Sequence, residues 1–189
     1  MKTLLLNCSL IVIFYSCTPE NPTPNPTPTP TIAIGESYQG GKIAYILQAG
    51  DIGYDANVPH GLIAAPNDQS IFTPWGCYGT AILGADGTAI GTGAQNTIDI
   101  MNDCNEASIA ARRCGDLVLG GYSDWYLPSK DELNKLYLNR VAIGGFATYL
   151  YWSSTEIDYT YAWFQNFDDG LQNYYPRVGG YGVRAIRSF

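Results

Sequence analysis

Apolar positions in this chain come in short runs separated by polar, glycine-rich stretches. Lys42-Ile43-Ala44-Tyr45-Ile46-Leu47 and Gly61-Leu62-Ile63-Ala64-Ala65, the second closed by Pro66, have the length of buried strands. Residues 76–94 are dominated by Gly, Ala and Thr and hold a weak repeat, Gly79-Thr80-Ala81-Ile82 and Gly87-Thr88-Ala89-Ile90, which predicts a long hairpin-like loop. Helical stretches follow. One, from about Glu106 to Val118, gathers Ile109, Ala110, Cys114, Leu117 and Val118 on one face, with Arg112 and Asp116 elsewhere. The next is better marked: Ser129-Lys130-Asp131-Glu132 is a capping box after Pro128, and Leu133, Leu136 and Tyr137 form its apolar stripe. Just before it, Trp125 and Leu127 alternate with Asp124 and Tyr126, so Trp125 and Leu127 should face the core. From Tyr151 the period becomes two, with strands predicted at 151–155, 161–167, 171–175 and 182–189.

The N-terminus carries a different signal. Lys2 and the apolar stretch Leu4 to Tyr15 form a leader too short to span a bilayer, which needs about 20 helical residues. Phe14-Tyr15-Ser16-Cys17 resembles a bacterial lipobox, in which Cys17 is diacylated and becomes the new N-terminus; ordinary secretory cleavage near Ser16 is the alternative. The expected organisation is a signal peptide at 1–16, a lipidated Cys17 with a Pro/Thr-rich tether to residue 31, and one folded domain over 32–189. The tether holds six of the 11 prolines. Fourteen residues of polyproline II at ~3.1 Å each reach on the order of 40 Å. Such a protein sits at the bacterial outer membrane or cell surface, held to the membrane by its acyl chains.

Composition narrows the function. Apolar residues make up 46% and charged residues 14% of 189, which suits one globular domain. Net charge is −7, and loss of Lys2 with the leader leaves 9 basic against 17 acidic side chains, or −8. No basic run exists, so a nucleic-acid partner is not expected. Gly91-Thr92-Gly93 lacks the setting of a phosphate loop. Of the cysteines beyond Cys17, Cys114 reads as helix-face core, and Cys77 with Cys104 is the preferred disulfide among three pairings. His60 is the only histidine, and no ligand-spaced metal cluster, cofactor site or catalytic residue is assigned. Asp51, Asp55 and Asn57, and Asp168-Asp169-Gly170, read as solvated turns rather than calcium loops. Arg184, set among apolar neighbours, needs a carboxylate, with Glu132 or Glu156 as candidates.

Several motifs carry a resemblance in combination: Trp75-Gly76-Cys77, Asp124-Trp125-Tyr126-Leu127-Pro128-Ser129-Lys130-Asp131-Glu132-Leu133, Tyr151-Trp152-Ser153-Ser154-Thr155-Glu156 and Val183-Arg184-Ala185-Ile186-Arg187. Over about residues 38–189 the chain resembles the C-terminal domain family of the Legionella collagen-like protein. It is also similar to the major paralogous domain of Fibrobacter succinogenes and, more distantly, to formylglycine-generating-enzyme-like domains. The resemblance implies a C-type-lectin-like α+β fold, with helices packed on a twisted antiparallel sheet and long loops. Tyr126 stands where the family commonly has Arg, so a charged contact from that position does not carry over. The family's link to sulfated glycosaminoglycans transfers poorly to an acidic domain unless Arg112, Arg113, Arg140 and Arg177 cluster.

The aromatic distribution supplies the candidate site. Residues 149–189 hold 12 of the 25 aromatics. Trp152, Trp163 and Phe167 are expected in the core, whereas Tyr159, Tyr161, Tyr174 and Tyr175 lie among small polar residues, the make-up of adaptable binding surfaces. The same pattern resembles the variable region of lectin-like proteins diversified by retroelements. The expected ligand-binding set is Tyr159, Tyr161, Trp163, Gln165, Asn173, Tyr174, Tyr175 and Arg177, taking a glycan or a surface protein. An enzyme related to formylglycine-generating-like folds, or a purely structural envelope component, are the alternatives.

Overall fold

The computed structural model describes residues 32–189. The leader, Cys17 and the tether lie outside the described residues. The chain runs β1 (Ser37–Tyr38), β2 (Gly41–Ile46), β3 (Gly61–Ala64), β4 (Ser70–Pro74), α1 (Gly93–Asp103), α2 (Ala110–Gly115), α3 (Lys130–Leu138), α4 (Arg140–Ile143), β5 (Leu150–Glu156), β6 (Tyr161–Asn166), β7 (Gln172–Pro176), β8 (Gly180–Val183) and β9 (Ile186–Ser188). Two sheets result. The first, β1-β2-β3-β9, is antiparallel throughout, and the second, β4-β8-β5-β6-β7, has one parallel pair, β5 beside β8. The fold is α+β.

The long terminal strand expected over 182–189 is divided. Val183 pairs with Ser70 in the second sheet, and Ile186 to Ser188 pair with Ala64 to Leu62 in the first, so the chain changes sheets at Arg184-Ala185. Gly61 and Phe189 exchange backbone hydrogen bonds at 3.2 and 3.0 Å, which extends the β3–β9 ladder to the end of the chain. Residues 76–92 contain turns and no strand, so the hairpin-like loop forms without a ladder. β4 was not legible as a strand: Ile71 and Phe72 both face solvent, and a bulge between Ser70 and Thr73 breaks the alternation.

Helix α2 is shorter than its apolar face suggested. Ile109 is an extended N-cap, Asp116 ends the helix, and Val118 is 72% exposed, whereas Ile109, Ala110 and Cys114 are buried as expected. Helix α3 starts as read. Ser129 Oγ accepts the Glu132 N–H at 3.3 Å and Glu132 Oε2 accepts the Ser129 N–H at 2.7 Å. Glu132 Oε1 also accepts the Gly91 N–H at 2.9 Å, so the cap ties the loop before α1 to α3. Burial pushes the Glu132 carboxyl above the usual carboxylate range, against these donors.

The core has two parts. One joins Trp75, Ile100, Ile109, Cys114, Trp125, Leu127, Trp152 and Val183; the other joins Leu62, Ala64, Tyr126, Leu133, Leu136, Tyr151, Phe167 and Ile186. The 125–127 segment passes between them, which explains a departure from simple alternation. Trp125 and Leu127 enter the first part, as expected, and Tyr126 is buried in the second instead of facing out with Asp124. Its hydroxyl meets Ser188 Oγ at 2.8 Å, and its backbone bridges Ile186.

Three C-terminal arginines brace this core. Arg184 pairs with Asp68 at 2.7 Å, not with Glu132 or Glu156: Glu132 is spent in the α3 cap, and Glu156 pairs with Arg177 at 2.7 Å. Arg184 also donates to the carbonyls of Ala65 and Gly145, and its guanidinium lies 4.1 Å from the Phe146 ring.

A candidate binding ridge on the β6–β7 ribbon

Antiparallel pairing of β6 with β7 places Trp163 opposite Tyr174 and Tyr161 opposite Pro176. Directly opposed residues and those two apart along a strand share a sheet face. Tyr161, Trp163 and Tyr174 therefore form one ridge, with ring centroids 5.5 Å (Tyr161–Tyr174) and 6.0 Å (Trp163–Tyr174) apart, both edge-to-face. Tyr174 is 51% exposed and Trp163 is half-buried, so Trp163 is a shoulder of the ridge and not the core residue expected from its sequence.

Helix α3 supplies the fourth member. Lys130, its first residue, holds Nζ 4.6 Å from the centre of the Trp163 ring. The Lys130 N–H donates to Thr155 Oγ1 at 3.0 Å, and Gln172 Nε2 donates to the Lys130 carbonyl at 2.8 Å. The helix start is thus pinned between β5 and β7. Sequence reading used Lys130 only as part of the cap; the signal it missed is a cation in the first helical turn, where the helix dipole favours acids.

The remaining expected residues go elsewhere. Tyr159 is exposed on the β5–β6 turn, where its carbonyl accepts the Gly79 N–H at 2.7 Å. Tyr175 sits opposite Ala162, on the other face of the ribbon, with Asn173. Gln165 is buried and donates to Asn134 Oδ1 at 2.9 Å and to the Gly170 carbonyl at 3.1 Å, fastening the hairpin turn to α3. Arg177 is fully buried, paired with Glu156, bonded to the Thr80 and Asp158 carbonyls, and stacked 4.3 Å from the Trp75 ring. Gln165 and Arg177 are therefore buried in the frame and are not displayed on the ridge. Of the other arginines, Arg112 binds the carbonyls of Met101, Cys104 and Glu106 at the end of α1 and lines one pocket with Arg113 and Asp116, and Arg140 stacks on Tyr137.

The cysteines are structural. Cys77 and Cys104 form a disulfide that joins the glycine-rich loop to the end of α1, and Glu106 accepts the Cys77 N–H at 3.1 Å. These three residues offer ligand atoms within 4.8 Å of one another, but both sulfurs are already bonded. Cys114 is buried, which pushes its thiol well above the ordinary range. His60 Nδ1 lies 3.1 Å from the Phe189 carbonyl. The acidic loops hold themselves: Asp55 accepts the Asn57 N–H at 2.8 Å, Asp51 the Gln48 N–H at 2.7 Å, and Asp169 the Leu171 N–H at 2.9 Å.

A family model described as the Lcl C-terminal domain matches residues 73–187. The chain belongs to the Lcl C-terminal domain family. No curated protein matches it. Membership points to an envelope-associated domain. In this Lcl domain the family motifs build the frame. Trp75 Nε1 donates to the Ser153 carbonyl and Trp152 Nε1 to the Thr73 carbonyl, each at 2.9 Å, and Arg187 grips both oxygens of Asp124 at 2.7 and 2.8 Å. The matched region begins at Thr73, yet β1, β2 and β3 precede it and complete the sheet that β9 enters, so the folded unit is larger than the match. Among the described residues no helix is long and apolar enough to cross a membrane.

Proposed function

We propose that this chain is a lipid-anchored envelope protein whose Lcl domain, with a C-type-lectin-like arrangement, binds a glycan or a surface protein and carries out no catalysis. The observation behind this reading is the ridge itself: three rings on one sheet face, fixed edge-to-face, with the Lys130 ammonium beside them. Rigid amphipathic rings give contact area at low entropy cost, and phenol and indole edges add hydrogen bonds. The resemblance of Ser16-Cys17 to a lipobox and the proline-rich tether support display at the outer membrane or cell surface. The binding reading over the enzyme reading is supported by the cysteines being in a disulfide or buried and by the engagement of His60 with the backbone. The test is the full chain on a glycan array and in a pull-down from envelope extracts. Binding that falls on replacing Tyr161 and Tyr174 by Ala is expected; binding indifferent to both, or none in either assay, would sink the proposal.

A further inference from the structure

The face of the ribbon opposite the ridge holds a cleft between β4, β8 and the start of β5. Its volume is about 400 Å³, and it is lined by Phe72, Tyr149, Leu150 and Tyr181, with Thr148, Asn166 and Gly180 completing it. That size falls within the range of small-molecule sites. Its floor is built. Tyr181 stacks 4.5 Å from Trp152 and 5.0 Å from Phe164, so the ring is fixed from beneath. Two consecutive glycines let further rings lie flat on the backbone: a Cβ at Gly180 would come within 2.4 Å of the Phe72 ring, and one at Gly179 within 2.7 Å of the Tyr175 ring. Tyr175 in turn lies 5.4 Å from Tyr181.

These walls are exposed as well as ordered. Phe72 is 76% and Tyr149 50% exposed, an unfavourable way to leave large rings without a ligand. None of the lining residues carries a charge, in a chain of net charge −7. The hydrogen-bonding groups are neutral: the Thr148 and tyrosine hydroxyls, and Asn166, whose Oδ1 accepts the Asp168 N–H at 2.9 Å and whose amide N–H groups have no partner among the described residues. Flat apolar walls with a few neutral donors match a pyranose, which has an apolar C–H face and a hydroxylated edge; they offer nothing to a sulfate or a carboxylate.

We propose that this cleft binds one ring of a neutral saccharide, independently of the ridge on the other face. The test is calorimetric titration of the full-length protein with neutral gluco-, manno- and galacto-oligosaccharides, with sulfated and uronate oligosaccharides alongside. At least one neutral series should bind, the charged ones should bind more weakly, and Phe72→Ala and Tyr149→Ala should each weaken binding about ten-fold. Both side chains are exposed, so thermal unfolding should be unaltered, and Leu83→Ala, at an exposed residue outside the cleft lining, should bind as the parent does. The cleft assignment is overturned if no neutral oligosaccharide binds at millimolar concentration or if binding survives the Phe72/Tyr149 double replacement. It is equally overturned if Phe72→Ala abolishes only self-association or capture of a protein. Loss in Tyr174→Ala with retention in Phe72→Ala would move the sugar to the ridge, overturning the cleft while sparing the function proposed for the ridge.

Discussion

Several cations of this domain lie over aromatic rings, and those of the core and of the ridge differ in what else the cation meets. Inside, Arg177 lies over Trp75, Arg184 over Phe146 and Arg187 over Tyr122, at 4.3, 4.1 and 3.9 Å, and each guanidinium also reaches a carboxylate. On the ridge, Lys130 lies over Trp163 and pairs with no carboxylate among the described residues. A guanidinium has a planar fork that serves an acid, carbonyls and a ring at once, whereas an ammonium is a compact charge on a flexible stem. Each interior guanidinium is held by an acid, by further oxygen acceptors and by a ring, with the Arg177 Nε alone left without a partner, whereas among the described residues the Lys130 ammonium meets a ring only. Stability should therefore rest on the first group and recognition on the second.

The sharpest way to break that division is Arg184→Met. It strands the Asp68 carboxylate and leaves the Ala65 and Gly145 carbonyls without their donor, so unfolding free energy should fall by about 3–5 kcal/mol. Calorimetry should show a melting point lower by roughly 10 °C; a loss below about 1 kcal/mol would mean the brace is ornamental. Adding Asp68→Asn should recover part of the loss.

Arg187 tests the middle of the comparison, because its carboxylate partner Asp124 has a side chain 57% exposed. The hydrogen bond from Arg187, more than the Coulomb attraction, holds the Asp124 carboxyl below its ordinary value. A lowered folded-state value means the stabilisation is complete above the ordinary carboxylate range and is lost as pH falls through the lowered one. Solvent screening keeps it under about 1 kcal/mol. Acid titration of stability for parent and Asp124→Asn should converge at low pH; parallel curves would remove Asp124 from the account.

The smallest effect on stability is expected from Lys130→Met, within about 0.5 kcal/mol, since the half-buried side chain holds no ion pair among the described residues and its backbone contacts are retained. Its effect belongs in the binding assay for the ridge. A marked drop in melting temperature would place Lys130 with the arginines and erase the contrast.

What could be read from the sequence was what is local. The α3 cap depends on residues three apart, the strand periods on neighbours, and the helix-face position of Cys114 left Cys77 with Cys104 as the preferred pair, which the structure contains. What failed depended on distant chain. Asp68 and Arg184 are 116 positions apart, and nothing near Arg184 announces Asp68. Tyr126 broke alternation because two core regions meet across it, and β4 hid because its apolar pair faces solvent. In the candidate site, aromatic composition grouped Tyr174 and Tyr175, which neighbouring positions on β7 put on opposite faces; Gln165 and Arg177 joined that grouping by proximity in sequence alone.

The pairing of β3 with β9 bears on how such a domain would carry load. A pull entering at Ile32 meets β1 and β2 first and passes sideways through the rungs joining β2, β3 and β9. The ribbon that bears the ridge is the far edge of the other sheet. Force applied at that end of the domain would strain the β2–β3–β9 ladder while the β6–β7 ribbon keeps its shape.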